Sequence, residues 1–370
     1  MIDFELSPGI ENTRQMIHMM AEQTMRPISR EYDEREHEDP TEWHEMMWNV
    51  SSQSPVSFGG GKSKKDEGPS ERNLASVVSI EELSWGDAGL YLSIPNAGLG
   101  GAAVAAAGTP EQRQRFLARF AGGKPKWAGM AITEPGAGSD SAAITTTATR
   151  DGDQWVLNGT KIYCTSGHRA LEKSEGFVVV WATVDKSAGR AGIKAFVVEH
   201  GTPGATVIRV EDKMGIRASD TAAIVFEDCR IPFDNILGNP EVKGEGFKGV
   251  MATFDATRPA VAASAIGIGR AAVDYVRETL QQAGVRPPVP MPAGPLEKAD
   301  AMRVRNRYGE FVLKRQADGW HVEAPFRGRA NDKLVESLLR KMQTFQFGLV
   351  IGSSPEIHER EKVAGRQSVE

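Results

Sequence analysis

Cysteine is nearly missing: Cys164 and Cys229 are the two in 370 residues. Two thiols make no disulfide framework, and this usage fits a reducing compartment. Basic charge is not in excess either. The 44 Lys and Arg against 49 Asp and Glu leave a net charge of −5 with no basic stripe, so nucleic acid is not an expected partner. Long apolar runs are also lacking. Gly176–Val184 and Pro259–Gly269 are far too short to span a bilayer, so no membrane span is expected. No charged-then-apolar leader precedes Asp3, which makes the cytoplasm the expected location. The seven histidines are scattered without ligand spacing, so no metal site is expected. The remaining balance, 40% hydrophobic and 25% charged residues, is that of an ordinary globular protein. The length allows two or three domains, or one large domain with subdivisions.

Residues 1–126 read as helical. Met16, Ile17, Met19, Met20 and Ile28 fall close to helical spacing within Ile10–Tyr32. A polar, glycine-rich stretch, Ser51–Arg72, reads as an exposed loop. Helices are expected over Asn73–Trp85 and over Leu90–Ala107, the latter rich in Gly and Ala. Thr109-Pro110-Glu111 then opens another, with Thr109 as N-cap. Between residues 127 and 240 the pattern turns to strands: Gln154–Leu157, Gly176–Val184, Ile193–Val198, Thr206–Val210 and Ala222–Phe226, separated by turn residues. Short strands at this spacing suggest a small antiparallel barrel or sandwich.

The third segment, residues 241–370, begins with a helix over Gly246–Ala283, Pro259 expected in its first turn. Arg286–Pro295 then holds five prolines in ten residues and cannot continue it. Gly309–Leu313 and Trp320–Glu323 flank Asp318-Gly319 as a hairpin, Ala330–Phe345 reads as a helix, and the tail after Pro355 is strongly charged. The fold class is therefore α+β: a helical N-terminal domain, a central antiparallel β-barrel or sandwich, and a shortened or divergent C-terminal helical domain.

One stretch stands out: Trp127–Asp140, WAGMAITEPGAGSD. An apolar approach runs into a hydroxyl, a rigid proline and two glycines, so a strand end presents amides and hydroxyls to something polar. Three further segments accompany it, VLNGTKIYCTSG at Val156–Gly167, KMGIRASDTAAIVFEDCRIP at Lys213–Pro232 and FDATRPAVAASAIGIGRAA at Phe254–Ala272. In this order and spacing the four resemble the acyl-CoA dehydrogenase family, over roughly residues 73–283. The resemblance implies FAD as cofactor, an acyl-CoA substrate, an electron-transfer flavoprotein as acceptor, and a homo- or hetero-oligomer. It puts Met130, Ile132 and Thr133 against the polar edge of the flavin, with Gly138 and Ser139 in the same loop. Tyr163 and Thr165 would cover the other side of the ring. Ser139 would lie near the acyl-CoA chain or the flavin phosphates, and Asp255 and Arg258 would line the CoA side. On residue type alone, Thr133 also reads as a turn hydroxyl, Tyr163 as a core aromatic and Arg258 as half of a surface ion pair.

The family's catalytic base is a Glu followed by Gly-Thr near the C terminus. The corresponding region here, RKMQTFQFGLVIGSSPEIHER, puts Phe347 or Ile351 at that position. The alternative position, before the arginine of the TRP-like segment, holds Thr257. No catalytic residue is assigned. The family's Arg-x-x-Phe-Gly segment is replaced by the proline-rich run. Three functions follow as expectations: oxidation of an acyl-CoA to its 2-enoyl product, a non-catalytic partner subunit of a heteromeric dehydrogenase, and a flavin oxidase or monooxygenase on the same scaffold. Other patterns carry less. Gly59–Ser63 lacks the first glycine of a phosphate loop, since position 56 is Val56, and His44-Glu45 lacks the second histidine of a zinc site. Gly267-Ile268-Gly269 lies within a helical pattern, where small residues permit close packing. Ser166 and His168 are too close along one loop to form a hydrolase triad.

Overall fold

The computed structural model describes residues 6–53, 71–241, 245–282, 301–306, 309–317, 319–324 and 328–329. It divides into two compact units, Met1–Ala271 and Ala272–Glu370. The chain enters through α1 (Pro8–Met20), capped by Ser7, whose hydroxyl accepts the Ile10 amide at 3.4 Å. A π-helical turn at Ala21–Met25 joins it to α2 (Arg26–Glu34), so the expected single helix carries an inserted residue. The turn buries Ala21 and Met25 against Gly86. A Cβ at that glycine would stand 2.8 Å from the Ala21 Cβ, so the two segments meet where only hydrogen fits.

After α3 (Thr41–Gln53), α4 spans Arg72–Ser93. Most of the glycine-rich segment expected as a loop, residues 54–70, lies outside the described residues. Asp87 interrupts α4 with extended dihedrals (φ −167°, ψ 120°) and recaps the chain, its carboxylate accepting the Leu90 amide at 2.7 Å. This break matches the gap expected between Trp85 and Leu90. A second break was not expected. The helix read over Leu90–Ala107 is two pieces, because Ile94 leaves the helix ahead of Pro95 and α5 (Gly98–Ala107) restarts after a bend of 79°. Pro95 has no N–H to continue a helix, and Asn96 accepts the Gly98 amide at 2.5 Å to form the turn. Among the described residues no single helix is long and apolar enough to cross a membrane; the bent α4–α5 pair meets that test by length and composition. The next helix, α6 (Pro110–Leu117), has the full capping box, Thr109 with Gln112.

The central sheet contains β1 (Ala128–Ala131), β2 (Thr147–Asp151), β3 (Gln154–Thr165), β4 (Phe177–Thr183), β5 (Ile193–Glu199), β6 (Ala205–Val210) and β7 (Thr221–Pro232). Its order is β1-β4-β2-β3-β7-β6, with β5 on β4. Antiparallel pairs dominate, as expected, but β1 runs parallel to β4 in the register Ala128↔Phe177 to Ala131↔Val180. Every residue of β4 is buried, which explains its unbroken apolar run. One face meets Trp155, Leu157, Phe196 and Phe226; the other, through Phe177, Val179 and Trp181, meets Ala103, Val104 and Phe116 of the helices.

The long helix α7 (Glu245–Gln282) begins in the first unit. Pro259 is not in its first turn but well inside it, where its ring removes one helical hydrogen bond. Gly267 lets α7 lie on α4, since a Cβ there would overlap the Glu81 carbonyl oxygen. Arg270 reaches Glu81 at 2.6 Å and Glu82 at 2.7 Å, and the buried Glu82 carboxylate also holds His18 at 2.8 Å. In the second unit, β8 (Ala301–Asn306), β9 (Gly309–Gln316), β10 (Gly319–Ala324) and β11 (Gly328–Arg329) form an antiparallel sheet in order β11-β10-β9-β8. The expected hairpin is the β9–β10 pair, in register Gly319↔Gln316. Asp318, the run Arg286–Pro295, the helix expected over Ala330–Phe345, the tail after Pro355, and Phe347 and Ile351 lie outside the described residues.

Candidate active site

The stretch after β1 folds back on itself. Glu134 and Ala137 exchange backbone hydrogen bonds of 3.0 and 3.1 Å, so Pro135 and Gly136 form an exposed turn. Gly136 and Gly138 face open space, with no atom within 4 Å of where a Cβ would stand. Beside this turn lies the end of β3. The Ile162 amide donates to the Thr133 carbonyl at 2.9 Å, and Gly129 brings β1 so near β3 that a Cβ would stand 2.9 Å from the Thr165 oxygen. Two motifs about thirty residues apart in sequence thus form one wall.

An ion pair that sequence reasoning missed pins this wall from behind. Lys161 Nζ, wholly buried, donates to Glu134 Oε1 at 2.7 Å and to the Ile132 carbonyl at 3.1 Å. Glu134 also accepts the amides of Thr145 (2.6 Å) and Thr146 (2.9 Å) and both their hydroxyls, at 2.7 and 2.6 Å. Burial opposes ionisation of Glu134. The Lys161 charge and the donors around the carboxylate outweigh it and bring the carboxyl down to about 2. Burial pulls the Lys161 amine down to about 8 against the support of Glu134. The only signal in the sequence was a glutamate locked between Thr133 and Pro135; nothing local named its partner.

The side chains at the wall divide sharply. Met130 and Ile132 point into the core with Ala137, and Phe254 of α7 packs against the same cluster. Thr133 and Thr165 are half-buried, and their hydroxyls enter no hydrogen bond among the described residues. Tyr163 is not a core aromatic: it is 62% exposed, at a positive φ of 59°. The β3–β7 register slips between Lys161 and Cys164, and this bulge turns Tyr163 outward while Lys161 and Cys164 stay buried. Ser139 is exposed. Asp255 and Arg258 are exposed on α7, and Arg258 lies 5.7 Å from the Phe254 ring without an ion pair among the described residues. Thr257 is half-buried and its hydroxyl donates back to the Thr253 carbonyl at 2.9 Å.

Two cavities lie elsewhere in the first unit. One, of about 220 Å³, sits at the α4 break between Asp87, Gly89 and Arg217, where Arg26 covers the Trp85 ring at 4.4 Å. The other, of about 260 Å³, is lined by paired charges beyond β3: buried Arg169 reaches Asp39 at 2.8 Å and Asp220 at 3.1 Å. Neither is lined by Met130, Thr133, Tyr163 or Thr165.

Residues 7–124 match the acyl-CoA dehydrogenase N-terminal domain, and residues 129–229 match the acyl-CoA dehydrogenase middle domain. The chain belongs to the acyl-CoA dehydrogenase family. It is 37% identical over 292 residues to the acryloyl-CoA reductase (NADH) of Anaerotignum propionicum, covering 76% of this chain and 69% of that one. It is 36% identical over 284 residues to the short-chain specific acyl-CoA dehydrogenase of Clostridium acetobutylicum, covering 76% and 70%. Among solved structures, butyryl-CoA dehydrogenase from Megasphaera elsdenii superposes with a TM-score of 0.64 at 32% identity, over 80% of this chain and 73% of that one. A chain in a structure of the electron transferring flavoprotein of Acidaminococcus fermentans gives 0.64 at 29% identity, over 93% and 76%. A glutaryl-CoA dehydrogenase from Mycobacterium smegmatis in complex with FADH2 gives 0.60 at 25% identity, over 73% and 64%.

Proposed function

We propose that this chain is a cytoplasmic, oligomeric, FAD-dependent acyl-CoA dehydrogenase that oxidises an acyl thioester to its 2-enoyl product. It is organised as residues 1–126, 127–240 and 241–370. The observation that carries this reading is the β1–β3 wall, where two half-buried hydroxyls without partners among the described residues, Thr133 and Thr165, lie beside an outward-turned Tyr163 and an open glycine turn. That donor set suits a planar, heteroatom-edged ring such as a flavin. When bound, FAD supplies the hydride acceptor for oxidation of the α,β bond. Thr133 and Thr165 would donate to the ring's polar edge, where donors favour negative charge. Tyr163 would cover the ring and keep water off it, and Met130 and Ile132, packed in the core, would hold the strand end rigid. Gly138 and Ser139 would leave room for phosphate or acyl chain, and Asp255 and Arg258 would line the CoA side. The names of the relatives make a short acyl chain the first substrate to try, and the structural neighbours support an electron-transfer flavoprotein as acceptor.

The base that removes the α proton is not Glu134. Its two oxygens already accept five hydrogen bonds, and a carboxyl held down at about 2 is too weak a base for that task. A second reading, a partner subunit whose base comes from another chain, is favoured by the aliphatic or aromatic residue at the family's base position and by Thr257, which can take no proton. One experiment separates the two. The chain is loaded with FAD and mixed anaerobically with butyryl-CoA and with longer and branched acyl-CoAs. Bleaching of the yellow flavin by the lone chain establishes turnover. No bleaching with any of them, and bleaching of this chain's flavin once a related full-length dehydrogenase chain stripped of its own FAD is added, supports the partner role. Oxygen uptake by the reduced protein would instead mark an oxidase.

A further inference from the structure

The Ile132 carbonyl and the Thr133 N–H belong to one peptide group, and the two ends of that group have different partners. The oxygen accepts from the Lys161 ammonium at 3.1 Å. The N–H has no acceptor among the described residues, although the next carbonyl, that of Thr133, takes the Ile162 amide at 2.9 Å. A cationic donor on a peptide oxygen draws electron density from the nitrogen and makes its N–H a stronger donor, an effect enhanced in a site of low dielectric. Lys161 is wholly buried, and the four donors of Thr145 and Thr146 fix the Glu134 carboxylate that in turn fixes Lys161. The ammonium is therefore held in one place, with one hydrogen bond aimed at the peptide that opens onto the wall.

We propose that Lys161 is a positioning residue for the flavin site: through the Ile132 carbonyl it sets both the direction and the donor strength of the Thr133 N–H. This rests on the FAD reading above. Glu134 serves the same end by keeping the ammonium in place. A role confined to holding β3 against the strand exit would affect stability alone. The polarising role also shifts the reduction potential of the bound flavin, because a stronger N–H donor favours the reduced, more negative ring.

The test uses the full chain with Lys161→Met and Glu134→Gln combined, which removes both charges and leaves the net charge unchanged. The folded double variant is expected to lower the midpoint potential of bound FAD by at least about 30 mV, a tenfold weaker preference for the reduced form. Its Thr133 amide proton resonance is expected to move upfield, with the cofactor and without it. A folded variant with unchanged potential and unchanged Thr133 resonance overturns the proposal. If the wild-type chain takes up no FAD, the cofactor reading fails, yet the Thr133 resonance of the two apoproteins still decides the role of Lys161. If the double variant does not fold, the wild-type resonance decides. A Thr133 amide proton well downfield of the random-coil range supports the proposal, and one within that range overturns it.

Discussion

At the scale of single residues, the wall combines groups with all their bonds made and groups with none. Glu134 is saturated, whereas the hydroxyl of Thr133, the next residue, has no partner among the described residues. Replacing Thr133 by Val should therefore leave stability nearly unchanged and weaken FAD binding roughly fivefold, the worth of one net hydrogen bond of about 1 kcal/mol. Flavin titration of the apoprotein checks this, and equal affinity would remove Thr133 from the site. Buried titratable groups set the response to acid. Burial, reinforced by the charge of Arg169, holds His44 down at about 3 from its usual 6.5, and Glu134 is down at about 2 from 4.5. Between those values the unfolded chain binds protons that the folded chain refuses, so each step down in pH favours unfolding. Melting temperature should fall from about pH 6.5 down to about pH 2. In His44→Gln the loss should begin only below about pH 4.5, where Glu134 starts to contribute.

At the scale of elements, local chemistry was the most legible. The Thr109 cap, the break near Asp87, the five strand runs between Gln154 and Phe226 and the β9–β10 hairpin could all be read from neighbouring residues, because caps and turns are short-range, whereas β2 and β8 were not anticipated. The bend before α5 was hidden by a continuous small-residue pattern, though Pro95 was its signal. A helix start is where proline costs least and is the place the sequence predicts for Pro259; α7 carries it in its interior instead. The β1–β4 parallel pairing and the Lys161–Glu134 contact join residues far apart in sequence, and no periodicity encodes them. Two glycines of α7 give a paired test. Gly267→Ala should cost about 1–3 kcal/mol, since α4 must move. Gly269→Ala, with nothing within 4 Å, should be neutral or stabilising by up to about 1 kcal/mol. Urea denaturation of both variants measures the difference. Equal effects would mean that α7 does not rest on α4 as described.

At the scale of the whole molecule, the four sequence motifs identified the family, and the family's expected base position falls beyond the reach of those motifs. The β1–β3 wall lies in the first unit, and Phe347 and Ile351 lie outside the described residues. Gly129→Ala should test the proposed flavin role of the wall: crowding against Thr165 and Cys164 should weaken FAD binding at least tenfold while far-ultraviolet dichroism remains native. The saturated carboxylate behind the wall has one more consequence. Thr145 and Thr146 donate their amides to Glu134, and Ile162 donates to the strand exit that Glu134 anchors, so loss of that carboxylate loosens all three together. In hydrogen–deuterium exchange the three amides should share one opening free energy, so that this small patch melts as a unit.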